Sequence, residues 1–184
     1  MWEDEADEFQ RLFRAGEIDY DEFCRRDAAL WKGMPLDRIM EVIGEIPYNK
    51  GVKETVKGIR EDGLVIVILS TGLSLLINKV KSELGISLAF SNDLIVEGGV
   101  VTGDIRINVE HDNKGYWVEK VLDDMGITKE EAAAVGDGVG DREMFESVGM
   151  AIGYRPDPLI ADLLHHSLHN GSFTKILEIL RARS

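Results

Sequence analysis

Along the first quarter of the chain the apolar residues recur at helical spacing and do not alternate. Phe9, Leu12 and Phe13 form one such face. Ile18, Tyr20, Phe23, Leu30 and Trp31 predict a second helix, and Leu36, Ile39, Met40, Ile43 and Ile46 a third. Gly16 and the stretch 33–35 punctuate them. From residue 51 the grammar changes. A helix over 52–61 stops at Gly63, a strand over 64–70 follows, and a helix over about 73–84 is closed by Gly85. Strand-like runs come at 88–90, at 94–97 and, after the turn signal Gly98-Gly99, at 100–109. A helix over 115–125 leads to Thr128-Lys129-Glu130-Glu131, which has the capping-box form. Residues 132–136 read as a buried strand, 142–148 as a short helix, 150–153 as a further strand and 174–183 as a closing helix. Helices and strands taking turns predict an α/β fold with a parallel sheet covered on both faces. In such sheets chemistry collects at the carboxyl ends of the strands. The division expected is a helical domain over 1–48 and an α/β domain over 49–184.

Composition adds exclusions. With 184 residues, 44% of them hydrophobic and 30% charged, the chain is of ordinary globular make-up. No apolar run approaches the ~20 residues of a membrane span; the longest covers 64–69. The start, Met1-Trp2-Glu3-Asp4-Glu5, is acidic where a secretory signal is basic and then apolar. Cys24 is the single cysteine, which excludes an internal disulfide and reads as packing. A cytoplasmic location is expected. Net charge is −13, with −7 of it in residues 1–46, a solvated helical face. That field repels phosphate polymers and anionic lipid, so neither nucleic acid nor membrane is expected as a partner.

Three groups of residues carry chemistry. Ser70-Thr71-Gly72 offers a hydroxyl and backbone N–H groups at an expected strand end, where a phosphate oxygen can bind; the bland alternative is a capped turn. Lys114-Gly115 opens a helix, and a lysine there can act as a point charge toward a phosphoryl group or be ordinary surface charge. Gly136-Asp137-Gly138-Val139-Gly140-Asp141 puts two carboxylates four apart on a glycine-rich turn, a donor set for a hard cation such as Mg²⁺. Its glycine spacing matches neither the dinucleotide fingerprint nor a P-loop. His165, His166 and His169 are the other ligand-like group, on a helix or an edge strand.

Taken together, Ser70, Lys114 and the Asp137/Asp141 pair resemble, in order and context, the second, third and fourth motifs of the haloacid-dehalogenase-like (HAD) superfamily. The stretches Asn78-Lys79-Val80, Ala89-Phe90-Ser91-Asn92, Leu94-Ile95-Val96, Thr102-Gly103-Asp104 and Met144-Phe145 narrow the resemblance to its phosphoserine phosphatase branch. Gly16-Glu17-Ile18-Asp19-Tyr20 and Leu30-Trp31-Lys32-Gly33 resemble that branch's small helical cap. The resemblance implies a Rossmann-like parallel sheet with a cap, and Mg²⁺-dependent hydrolysis of a small phosphorylated metabolite through an aspartyl-phosphate. It implies that Ser70, with Thr71 and Gly72, hydrogen-bonds the phosphoryl group and that Lys114 pairs with it. Asp137 would ligate Mg²⁺, and Asp141 would ligate it or orient its waters. A homodimer is compatible with it.

The resemblance has departures. The family's first motif, D-x-D after an N-terminal hydrophobic strand, has no counterpart. Asp19-Tyr20-Asp21 has the form but lies in helical, polar surroundings, and Asp4 and Asp7 do too. The expectation is therefore a shortened form of a longer protein, lacking the central first strand and the nucleophile. A catalytically inactive phospho-ligand binder or regulator is the alternative. Where the family carries a carboxylate-gripping arginine in the cap stands Asp27, which would repel a carboxylate. Arg25 or Arg26 would have to compensate, or the substrate is a different phosphomonoester. Gly140 replaces the family's asparagine, and Tyr20 occupies the place of an aromatic wall over the substrate.

Overall fold

A computed structural model of the chain describes residues 2–183, with side chains from Asp4 to Arg183. The three expected helices come first: α1 (Trp2–Arg14), α2 (Tyr20–Leu30) and α3 (Leu36–Glu45). The Asp19 carboxylate caps α2 by accepting from the Glu22 N–H at 2.8 Å. Next are α4 (Val52–Glu61), β1 (Val67–Leu73), α5 (Ser74–Leu84), β2 (Leu88–Glu97), β3 (Val100–Arg106) and α6 (Lys114–Met125). The chain then forms β4 (Ala133–Gly136), α7 (Arg142–Glu146), β5 (Met150–Tyr154), β6 (His166–Leu168) and α8 (Thr174–Arg183). The Thr128–Glu131 capping box is present, closing one short 3-10 turn.

The strands form two three-stranded sheets, ordered β1-β2-β3 and β4-β5-β6, where the sequence pattern led us to expect one parallel sheet. The second is parallel throughout: Ala134 sits opposite Ala151, and Tyr154 opposite Leu168. In the first, β2 and β3 are antiparallel around the turn at Gly98 and Gly99, both at positive φ. The two strand-like runs at 88–90 and 94–97 are one strand. Asn92 is fully buried within it and hydrogen-bonded on every side. Its Oδ1 accepts from the Asn108 and Val109 N–H groups, and its Nδ2 donates to the Thr71 and Val109 carbonyls and to the Tyr20 hydroxyl. β1 and β4 are edge strands of their sheets.

By packing, the chain divides into two compact units, 1–46 with 68–110, and 47–67 with 111–184. The sequence-based division at 48/49 shares with these units only the boundary near residue 46. The first unit's core is Ala28, Ile39, Ile43, Leu94 and Val101, so α2 and α3 cover the β2–β3 hairpin. In the second, β5 is buried at all five residues, and Ile152 and Tyr154 pack with Ile176 of α8. Each fully buried isoleucine there contributes about 1.5–3 kcal/mol of apolar transfer.

Candidate active site

The second unit gathers Lys114, Asp137 and Asp141. Lys114 is the first residue of α6, and the loop 136–141 leaves the end of β4. The Lys114 ammonium donates to Asp141 Oδ1 at 2.6 Å, and both residues are only 7% exposed. The other oxygen, Oδ2, accepts from the Asp137 N–H at 2.9 Å and the Gly138 N–H at 3.2 Å. Asp141 thus folds back under its own loop. Gly136 must be glycine for this, because a Cβ there would lie 2.3 Å from Asp141 Oδ2. With both its oxygens engaged, Asp141 acts as an internal clamp, the arrangement a buried charge requires.

Asp137 differs. Its side chain is exposed, and among the described residues its carboxylate has no side-chain hydrogen-bond or ion-pair partner. The protein behind it, and then the charge of Asp141, raise its pKa above the ordinary carboxylate value; Lys114 works in the opposite sense. A lone, hard, proton-prone carboxylate beside a saturated one suits a cation. Mg²⁺ takes one or two protein carboxylates and completes its shell with water and phosphate oxygens. Asp137 therefore fits it as a donor, although among the described residues no three metal-ligating side chains cluster.

Two contacts run beside the Lys114–Asp141 pair. The Gly115 N–H donates to Glu143 Oε2 at 3.4 Å. On the other side, the His111 imidazole lies against Gly140, its Cδ2 and Nε2 each 3.1 Å from where a Cβ would stand. No periodicity or motif signals that His111–Gly140 contact in the sequence.

The remaining sequence-derived residues belong to the first unit. Ser70 lies inside β1 and not past its end, a correction to the expected strand-tip turn, because the strand runs on through Thr71 and Gly72 to Leu73. Its Oγ accepts from the Gly72 N–H at 3.0 Å. Tyr20 is half-buried; burial, and then the Cys24 thiol, push its phenol pKa well up, while Thr71 and Asn92 work against that. Arg25 pairs with Asp21 and Arg26 with Glu22, each one turn back on α2. Both guanidiniums are therefore engaged away from Asp27, whose carboxyl pKa is pushed up by burial. Asp19 caps a helix and Asp21 holds Arg25, so neither acid of the D-x-D stretch is open.

His165, His166 and His169 do not share a helix. His165 Nδ1 accepts from the Ala151 N–H at 3.1 Å, and His166 begins an edge strand.

A family model for haloacid dehalogenase-like hydrolases matches residues 1–149. The chain is 30% identical to a phosphoserine phosphatase of Methanocaldococcus jannaschii over 97% of its own length and 85% of that protein. It is also 30% identical to one from Archaeoglobus fulgidus, spanning 52% of that longer chain. Two solved phosphoserine phosphatase structures, one a phospho-aspartyl intermediate analogue and one substrate-bound, superpose with TM-scores of 0.85 at 29% identity. The first comparison covers 96% of this chain and 85% of the other, the second 95% and 84%.

Proposed function

This chain belongs to the haloacid dehalogenase-like hydrolases, in their phosphoserine phosphatase type, and from that premise we propose that it supplies the phosphate- and Mg²⁺-binding machinery of a phosphomonoester hydrolase. The observation that carries this reading is the buried Lys114–Asp141 pair holding a loop on which Asp137 is left open. Lys114 offsets charge on the phosphoryl oxygens, and Asp137 holds the metal. When bound, Mg²⁺ acts as a Lewis acid on those oxygens. In the full reaction a carboxylate oxygen attacks phosphorus, the ester P–O bond breaks, and the leaving alkoxide takes a proton. Water then attacks the aspartyl-phosphate, releasing phosphate and restoring the carboxylate.

The attacking carboxylate is not among the described residues in this reading. The D-x-D acids are occupied at the start of α2, and β1 and β4 are the outer strands of their sheets. We place the nucleophile on a further strand in a longer form of the protein. Asp27, with both neighbouring arginines diverted, argues against a substrate carboxylate in the cap and for a phosphomonoester other than phosphoserine. The occupied D-x-D acids also favour a second reading, a phospho-ligand binder without turnover.

The test compares this chain with an N-terminally extended version on a panel of small phosphomonoesters. Turnover by the extended form alone, lost on Asp137→Asn, supports the hydrolase. Phosphate binding without turnover in either form supports the binder. Turnover by the purified 184-residue chain would overturn the account of the nucleophile.

A further inference from the structure

β4 and β5 run parallel, with Gly136 opposite Gly153, so the loops that follow them leave the same edge of the sheet. The first loop opens with Asp137, and the second contains Arg155. The two stay joined beyond the strands, because the Asp157 N–H donates to the Asp137 carbonyl at 2.8 Å. On its other side the second loop is tied to β6, where the Arg155 N–H donates to the Leu168 carbonyl at 2.8 Å.

Arg155 is held there under strain. Among the described residues it is the one non-glycine residue with positive φ, at 54°. Its side chain is exposed, and its guanidinium lies 5.3 Å from the centroid of the buried Tyr154 ring, which steadies it. In a chain of net charge −13 it pairs with no carboxylate among the described residues. Asp157, the nearest acid along the chain, turns its Oδ1 to the Leu159 N–H at 2.9 Å instead. The bond to Leu168 is made by the main chain, and a glycine or asparagine would take the same φ with less strain. The turn itself therefore does not call for an arginine. The charges that act on Asp137 are those of Asp141 and Lys114 and not of Arg155, so the guanidinium stands clear of the metal-binding carboxylate.

We propose that Arg155 is a specificity-determining residue of this site: its unpaired guanidinium, on the same sheet edge as Asp137 but clear of it, pairs with a second anionic group of the phosphorylated ligand. This rests on the reading of Lys114 and Asp137 given above and deepens it by naming the ligand class. That class is a phosphomonoester with a carboxylate or a second phosphate at its far end, either of which matches the planar guanidinium fork.

The test measures binding to the 184-residue chain with Mg²⁺ by calorimetry. The probes are inorganic phosphate, glycerol 3-phosphate, 3-phosphoglycerate and propane-1,3-diyl bisphosphate. The last three are similar in length, and their far group is neutral, a carboxylate or a phosphate. We expect the wild-type chain to prefer one of the two doubly anionic esters over glycerol 3-phosphate by about tenfold or more, as for hydrogen bonds to a charged group. Arg155→Asn suits the left-handed backbone and removes the charge, so it should erase that preference, and Arg155→Lys should keep part of it. The denaturant midpoint of Arg155→Asn should equal or exceed that of wild type, so that a lost preference reads as lost recognition and not as lost fold. A preference that survives in Arg155→Asn, or is absent from wild type, would overturn the role of Arg155, while binding of inorganic phosphate leaves the site standing. Absence of inorganic phosphate binding in wild type would overturn the site itself, and this inference with it.

Discussion

Lys114 Nζ and Asp141 Oδ1 lie 2.6 Å apart with both side chains almost fully buried, and that one pair ties the start of α6 to the loop after β4. A buried pair does little for stability compared with an apolar core, yet breaking it strands a charge. Lys114→Met should destabilise the second unit by about 3–5 kcal/mol, measured by urea unfolding at pH 7. Lys114→Met combined with Asp141→Asn should recover part of that loss. A single mutant as stable as wild type would show that water reaches the pair.

Asp137 should show the opposite sign for stability and function. Its charge is disfavoured by the protein behind it and by Asp141, so Asp137→Asn should leave the fold as stable as wild type at neutral pH, or more so. The same change should abolish the Mg²⁺-dependent part of phosphate binding, as should chelation of the metal. Melting curves with phosphate, with and without EDTA, check both halves.

Asp27 gives a pH signature. Its folded-state pKa lies above the ordinary carboxylate value, so the folded protein holds a proton that the unfolded chain releases. Stability from this group is greatest at low pH and declines as pH rises from the ordinary carboxylate pKa through the raised one. Asp27→Asn should therefore raise the melting temperature at pH 7, and the gain should shrink as acid is added. Asp27→Arg should shift phosphomonoester preference toward carboxylate-bearing substrates, in an extended, active form.

Asn92 is the structural centre of the first unit, and its loss should be costly. Asn92→Ala removes partners from two N–H groups, that of Val109 buried and that of Asn108 partly so, and from two carbonyls. A loss of about 3 kcal/mol or more is expected, read from the denaturant midpoint. Asn92→Asp keeps the two acceptor bonds only and should fall between.

Much of the fold was legible because punctuation and periodicity agree. The helix over 52–61 is found with the expected bounds between Gly51 and Gly63, and the residue order Ser70, Lys114, Asp137, Asp141 was enough for the family. The strand expected over 64–70 begins at Val67 instead. An unbroken apolar run carries no register, and Leu64 and Val65 remain exposed with nothing over them. The runs expected at 88–90 and 94–97 are joined through Asn92, whose buried side chain satisfies four backbone groups, so a polar interruption of the apolar pattern does not end the strand. The His111–Gly140 contact joins residues 29 apart in sequence, and neither residue has a pattern that signals the other.

The place of β1 and β4 at the outside of their sheets has a practical consequence at the bench. An outer strand can pair with another chain, and Val135 on β4 adds exposed apolar surface. Purified at high concentration, the chain should self-assemble through these flanks. A short synthetic peptide of strand-forming sequence should compete with that assembly and keep the protein in solution.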